Sequence, residues 1–169
     1  QAKAAGENNS IILTDPKGEL YSYTAAYFRS LGYKIVTLNL LDPIRSDRYD
    51  PLTAVRRSLD RGDYSAASEA AWDIAHAFAT VNTGANAKED PFWSNASESI
   101  IAATALYVAS RAPVGQRTMQ SVYRMITELG KGGGEELDAI FEAVADYADP
   151  ARLAYGVTAL SEDKTRAGI

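Results

Sequence analysis

Apolar residues follow two rhythms along this chain, one up to about residue 40 and another beyond residue 51. Ile11, Ile12 and Leu13 stand in a row and stop at Asp15-Pro16-Lys17-Gly18. A short apolar run closed by turn residues predicts a buried strand over 10 to 14. From Glu19 the period lengthens: Leu20, Tyr23, Tyr27, Phe28 and Leu31 recur at helical spacing and Gly32 supplies a stop. A helix with one apolar face follows from that spacing. Ile35, Val36 and Leu38 predict a second strand over 33 to 39. Strand, helix and strand joined by short links form a right-handed βαβ unit with parallel strands. Buried parallel strands need neighbours and cover on both faces, so the rest of this sheet is expected outside the chain.

Asp42-Pro43 and Asp50-Pro51 bracket a stretch without period, an ordered connector that marks a domain boundary. Every later periodic stretch is helical. Helices are predicted over 52 to 61 and over 64 to about 81, the second with Ala71, Trp72, Ala75, Phe78 and Ala79 on one side. Another follows Asp90-Pro91 and runs from 92 to 111. The next, over 116 to 129, carries Met119, Val122, Tyr123 and Ile126 and ends at Gly130. Leu137, Ile140, Phe141 and Val144 predict a helix over 135 to 147, and Pro150 opens a last one through Leu153 and Leu160. No strand is expected after residue 40. The expected fold class is mainly α: a helical bundle domain over 52 to 163, preceded by a small βαβ fragment over 1 to 51, with 164 to 169 leading out of the bundle.

A chain of 169 residues can bury one domain's core. With 46% hydrophobic and 23% charged residues, disorder is excluded as its main state. The net charge of -5 has the wrong sign for coating a phosphate backbone, so any nucleic-acid contact must be local. The lack of Cys excludes disulfides, Cys-ligated zinc and a thiol nucleophile, and the lone His76 leaves too few ligands for the usual zinc sites. No metal site is expected. The most apolar stretch, 100 to 109, is about half the roughly 20 residues that a membrane span requires. The start at Gln1 carries neither an initiator Met nor a signal-peptide core, so the chain is either processed or cut from something longer, and the second is expected.

Three clusters could carry function. Asp15, Lys17 and Glu19 sit where a strand hands over to a helix, the place where open α/β sheets bind ligands. The same residues also read as a helix start, with Thr14 or Asp15 as cap and Glu19 on the positive helix end. Nothing matches G-x-x-x-x-G-K-S/T, so no loop here cradles a triphosphate, and Gly130-Lys131-Gly132-Gly133-Gly134 reads as a connector. Arg45, Arg48, Arg56, Arg57 and Arg61 share a short stretch with Asp47, Asp50 and Asp60. That is a solvated, partly paired face, or a DNA contact centred on Arg56, Arg57 and Arg61. Glu135, Glu136, Asp138, Glu142, Asp146 and Asp149 are interrupted by no Lys or Arg, which makes a solvated face or a dock for a basic protein. Trp72, Phe78, Phe92, Trp93, Tyr107 and Phe141 read as core rather than a base-stacking platform, and His76 as an ordinary packed or surface residue. A free-standing enzyme built on Asp15 or Glu19 lacks a partner carboxylate or His.

The run Ile11-Ile12-Leu13-Thr14-Asp15-Pro16-Lys17-Gly18-Glu19, then Gly32-Tyr33, Leu38-Asn39-Leu40-Leu41-Asp42-Pro43 and Ser46-Asp47-Arg48-Tyr49-Asp50-Pro51-Leu52, resembles TraG-type coupling proteins of conjugative type IV secretion. Asp90-Pro91-Phe92-Trp93 resembles the start of a central helix of that family, and Asp163-Lys164-Thr165 the return of its chain to the motor. Asn is common in the family where Asp50 stands. The resemblance implies an excerpt of a membrane-anchored hexameric motor ATPase: a βαβ fragment of its P-loop fold, then its inserted all-helical domain. It further implies that ATP and Mg²⁺ serve the parent protein while this fragment binds no cofactor and is not itself an enzyme. Asp15, Lys17 and Glu19 would face the nucleotide or subunit edge. The helical domain would recognise a relaxase, adaptor or effector protein, with DNA as a partner in the hexamer. It would do so at the cytoplasmic face of the bacterial inner membrane, among other secretion components and without touching the membrane itself.

Overall fold

The structure, a computed structural model, describes residues 10 to 82 and 91 to 159. The chain divides into two compact units, 1 to 49 and 50 to 169.

The first unit is built on α1, Glu19–Ser30. Its start is set by Gly18 at φ 73° and by Asp15, whose Oδ2 accepts the Tyr21 N–H at 2.8 Å. Its end is a two-bond lock: Gly32 N–H reaches the Arg29 carbonyl at 2.8 Å and Tyr33 N–H the Phe28 carbonyl at 3.0 Å. Gly32, at φ 79°, supplies the left-handed residue that this ending requires. The accompanying apolar contact is the edge-on packing of Tyr33 against Phe28, 5.6 Å between ring centres.

No strand forms among the described residues, contrary to the strands expected over 10 to 14 and 33 to 39. From Leu31 to Leu40, odd positions are half-buried and even positions exposed, the period of two expected of extended chain. A parallel ladder does not form between two isolated segments, because each needs further strands to satisfy its second edge. The connector takes that role instead. Thr37 N–H donates to Asp47 Oδ2 at 2.8 Å, its carbonyl accepts the Asp47 N–H at 2.8 Å, and Asn39 N–H donates to Ser46 Oγ at 2.9 Å.

The second unit holds α2 (Leu52–Asp60), α3 (Tyr64–Asn82), α4 (Pro91–Arg111), α5 (Met119–Leu129), α6 (Glu135–Glu142) and α7 (Pro150–Ala159). The mainly helical expectation is met. Helix α4 is the centre and packs against α2, α3, α5 and α7. Ser99, Ile100, Ala102, Ala103, Thr104, Ala105, Leu106, Val108 and Ala109 are all buried on it, so it lacks a polar face over this length, as a core helix does. Ala67, Ala71 and Ala75 recur every four residues along α3 and are fully buried, a small-residue ridge that allows close helix packing. Buried hydroxyls are satisfied: Ser99 Oγ donates to the Ala154 carbonyl at 2.6 Å and Thr104 Oγ1 to that of Ile100. Phe141 stacks on Tyr155 at 4.2 Å and meets Tyr107 edge-on at 5.6 Å, tying α6 to α7 and α4.

Two helix bounds differ from the spacing. Helix α5 starts at Met119 rather than 116, because Thr118 takes the extended cap conformation and its hydroxyl accepts the Ser121 N–H. Helix α6 ends at Glu142 rather than 147. Arg152 donates to the carbonyls of Glu142 and Val144, and Asp146 Oδ1 accepts the Ala148 N–H at 2.9 Å, a side-chain turn that replaces further helix. Phe78 is 48% exposed rather than core, while Trp72 and Tyr107 pack partly and Phe141 fully. Leu160, the segment 164 to 169 and the side chains of Phe92 and Trp93 lie outside what is described.

Candidate functional site

The three clusters separate into residues used by the fold and residues left to solvent. At the start of α1, the Asp15 carboxylate is taken by the Tyr21 N–H, so of the two capping residues that the sequence allows, Asp15 is the one used. Lys17 and Glu19 are exposed. A phosphate seeks the free N–H groups of a helix start. Here the Asp15 carboxylate already occupies one of them, that of Tyr21.

The arginine cluster splits. Arg56 is half-buried, pairs with Asp50 at 2.7 Å and donates to the Arg117 carbonyl at 2.9 Å. Its charge is spent inside the unit. Arg57 is exposed with no ion pair or hydrogen bond among the described residues, and Arg61 is exposed with only a 3.3 Å bond to Ser58 Oγ. One turn separates the two, so they form an exposed cationic pair at the end of α2.

The acidic cluster splits in the same way. Asp138 accepts the Tyr155 hydroxyl, and Asp149 pairs with Arg111 at 2.7 Å while capping α7 through the Ala151 N–H at 2.9 Å. Asp146 is exposed but holds its own turn. Glu135, Glu136 and Glu142 remain exposed, the first two in the opening turn of α6, where the helix dipole favours negative charge. His76 Nδ1 lies 3.1 Å from Glu98 Oε1 at the surface. No group of three acidic or histidine side chains among the described residues could hold a metal. Sequence reasoning missed a cleft on the helical unit, lined by residues from four helices and the link before α7. Its residues are too far apart in the chain to form a motif.

Residues 5 to 169 match the family described as type IV secretory system conjugative DNA transfer. The chain belongs to this family. No curated protein and no solved structure matches it. Membership bears out the TraG-type resemblance and places the chain in conjugative DNA transfer by type IV secretion. No described helix is long and apolar enough to cross a membrane.

The residues that signalled this conjugative-transfer family turn out to be largely architectural. Asp15 caps α1, Gly32-Tyr33 closes it, and Ser46-Asp47 clasps the chain at Thr37 and Asn39. Asp50 Oδ1 accepts the Leu52 N–H at 3.0 Å and Oδ2 holds Arg56, so it fixes the start of α2. Pro91 stands at the first position of α4, where a missing N–H costs nothing.

Proposed function

We propose that this chain is the part of a coupling ATPase that recognises protein cargo for conjugative transfer. A relaxase, an adaptor or an effector docks on its helical unit at the cytoplasmic face of the bacterial inner membrane. The carrying observation is the family match, which spans the helical unit, together with the exposed carboxylates of Glu135, Glu136 and Glu142 on α6. A basic protein surface is attracted to such a face. In this reading the extended segments flanking α1 join the P-loop sheet of the parent motor. Lys17 and Glu19 face a neighbouring subunit, ATP and Mg²⁺ act on the parent, and this chain does not turn over ATP.

The test is binding of the relaxase from the same transfer system to the immobilised 169-residue chain, with and without Glu135→Ala, Glu136→Ala and Glu142→Ala combined. Binding about tenfold weaker in the triple variant supports the reading, in line with the loss of several rim charges. Absence of binding by relaxase, adaptor and effector alike would refute it.

A second reading, direct DNA contact, is favoured by the exposed Arg57 and Arg61. It predicts salt-sensitive DNA binding that disappears in Arg57→Ala with Arg61→Ala.

A further inference from the structure

Residues 33 to 39 of the first unit are extended and have two unlike edges. Toward one edge, Thr37 uses both its backbone groups and Asn39 its N–H on the connector at Ser46 and Asp47. Backbone groups of successive residues in extended chain point to opposite edges, so those of Lys34, Val36 and Leu38 make the other edge. None of these groups is hydrogen-bonded among the described residues. A row of open N–H and C=O groups is a template for one kind of partner, another extended chain.

Edges that stay single are blunted by charge, proline or a bulge. Ile35 to Leu41 has neither charge nor proline, and such a run, opened by Ile, Val and Thr, is of the kind that pairs with copies of itself. The apolar surface beside the edge is also large. Val36, Leu38 and Leu40 are exposed on alternate residues, and Leu41 and Ile44, at 92% and 96%, stand in the turn that follows. That turn is held in place: Asn39 Oδ1 accepts the N–H groups of Leu41 and Asp42, and Asp42 pairs with Arg45 at 3.3 Å. Together these side chains expose on the order of 700 Å², close to the roughly 800 Å² per partner of a standard interface.

Charge selects the register. A parallel, in-register pairing sets Lys34 of one copy beside Lys34 of the other, and like charges so placed repel. An antiparallel pairing centred on Val36 sets Val36 against itself and Lys34 against Leu38 of the second copy. It uses both backbone groups of Lys34, Val36 and Leu38 on each copy and keeps the two lysines apart. The contact is two-fold and self-complementary, so it closes at two copies.

We propose that residues 34 to 38 pair antiparallel with the same residues of a second copy, so that the 169-residue chain is a closed dimer in solution. The proposal is independent of the cargo-recognition reading. A motor-sheet strand of the parent would compete for the same edge, so the pairing is a property of this chain by itself.

The test is sedimentation velocity of the 169-residue chain over a wide range of concentration, where an equilibrium between monomer and dimer is expected. Leu38→Lys places a lysine opposite Lys34 of the other copy and removes an apolar contact, and it should weaken the dimer about tenfold. Adding Lys34→Glu to Leu38→Lys restores opposite charges across the two-fold and should bind more tightly than Leu38→Lys alone. Amide exchange at Lys34, Val36 and Leu38 should slow as concentration rises, and thermal melts check that each variant keeps its helical unit. A monomer at every concentration overturns the proposal, as does a dimer that Leu38→Lys leaves unchanged. A charge swap that fails to strengthen the Leu38→Lys dimer overturns the antiparallel register. Assemblies that keep growing beyond two copies overturn the closed dimer in favour of open stacking of the same segment.

Discussion

Arg56 on α2 donates to the backbone carbonyl of Arg117 at 2.9 Å, 61 residues further along the chain. The same guanidinium holds Asp50 at 2.7 Å, and Arg117 Nε donates to the Ala112 carbonyl at 2.8 Å just past the end of α4. Helix ends leave carbonyls without intrahelical donors. Two arginines therefore connect the start of α2 to the end of α4, and one of the three sequence candidates for DNA contact becomes a structural residue.

This relay makes Arg56 and Arg57 unequal. Arg56→Ala removes a hydrogen bond to a backbone carbonyl and leaves Asp50 without its cation. Both side chains of the pair remain about a third exposed, at 29% and 34%, which lowers the worth of the ion pair. A loss of about 1 to 2 kcal/mol in urea unfolding is expected. Arg57→Ala, at an exposed position, should stay within about 0.5 kcal/mol. Equal losses in the two variants would show that the relay contributes nothing.

A similar contrast applies to the acids of α6. The Tyr155 hydroxyl donates to Asp138, and its ring stacks on Phe141. Tyr155→Phe keeps the ring and loses the bond, for about 1 kcal/mol, whereas Tyr155→Ala also opens a cavity and should cost about 3 to 5 kcal/mol. A double-mutant cycle with Asp138→Ala should return a coupling near 1 kcal/mol. Coupling indistinguishable from zero would show that this hydrogen bond contributes nothing to stability.

The helices were legible in the sequence because each carries its own signal in adjacent turns. Leu137 and Phe141 mark the buried side of α6 and Pro150 marks the start of α7, whereas the start of α5, expected at 116, is set by the Thr118 cap. The strands were not legible to the same degree. Ile11 to Leu13 and Ile35 to Leu38 show strand-like composition, yet a strand exists only when a second chain segment completes its hydrogen bonds. The candidate sites were legible as charge clusters but not as free charges. Arg56 differs from Arg57, and Asp138 from Glu136, through partners at Arg117 and Tyr155 that no local pattern announces.

Packing around α4 gives another test. Ala103 is fully buried on the central helix, while Ala139 on α6 is exposed. Enlarging a side chain in a close-packed interior forces neighbours off their rotamers. Ala103→Leu should lower stability by about 1 to 3 kcal/mol, and Ala139→Leu should leave the thermal midpoint almost unchanged. A stabilised Ala103→Leu would mean that the packing around α4 contains unfilled space.

The last prediction concerns where the helical unit begins. Asp50 holds the Leu52 N–H through Oδ1, the Thr53 N–H through its backbone carbonyl at 3.0 Å, and Arg56 through Oδ2. A chain starting at Asp50 keeps these bonds, and it should unfold cooperatively in urea. One starting at Leu52 loses all of them and places a positive amine at a helix start that favours negative charge. It should be less stable by about 1 to 2 kcal/mol. Asp50→Asn in the full chain should fall between the two. Its side-chain oxygen can still accept from Leu52, but the amide that replaces Oδ2 is a donor facing the Arg56 donors. Matching urea midpoints for the chains starting at Asp50 and at Leu52 would show that Asp50 is dispensable, and that the helical unit begins inside α2 rather than at its cap.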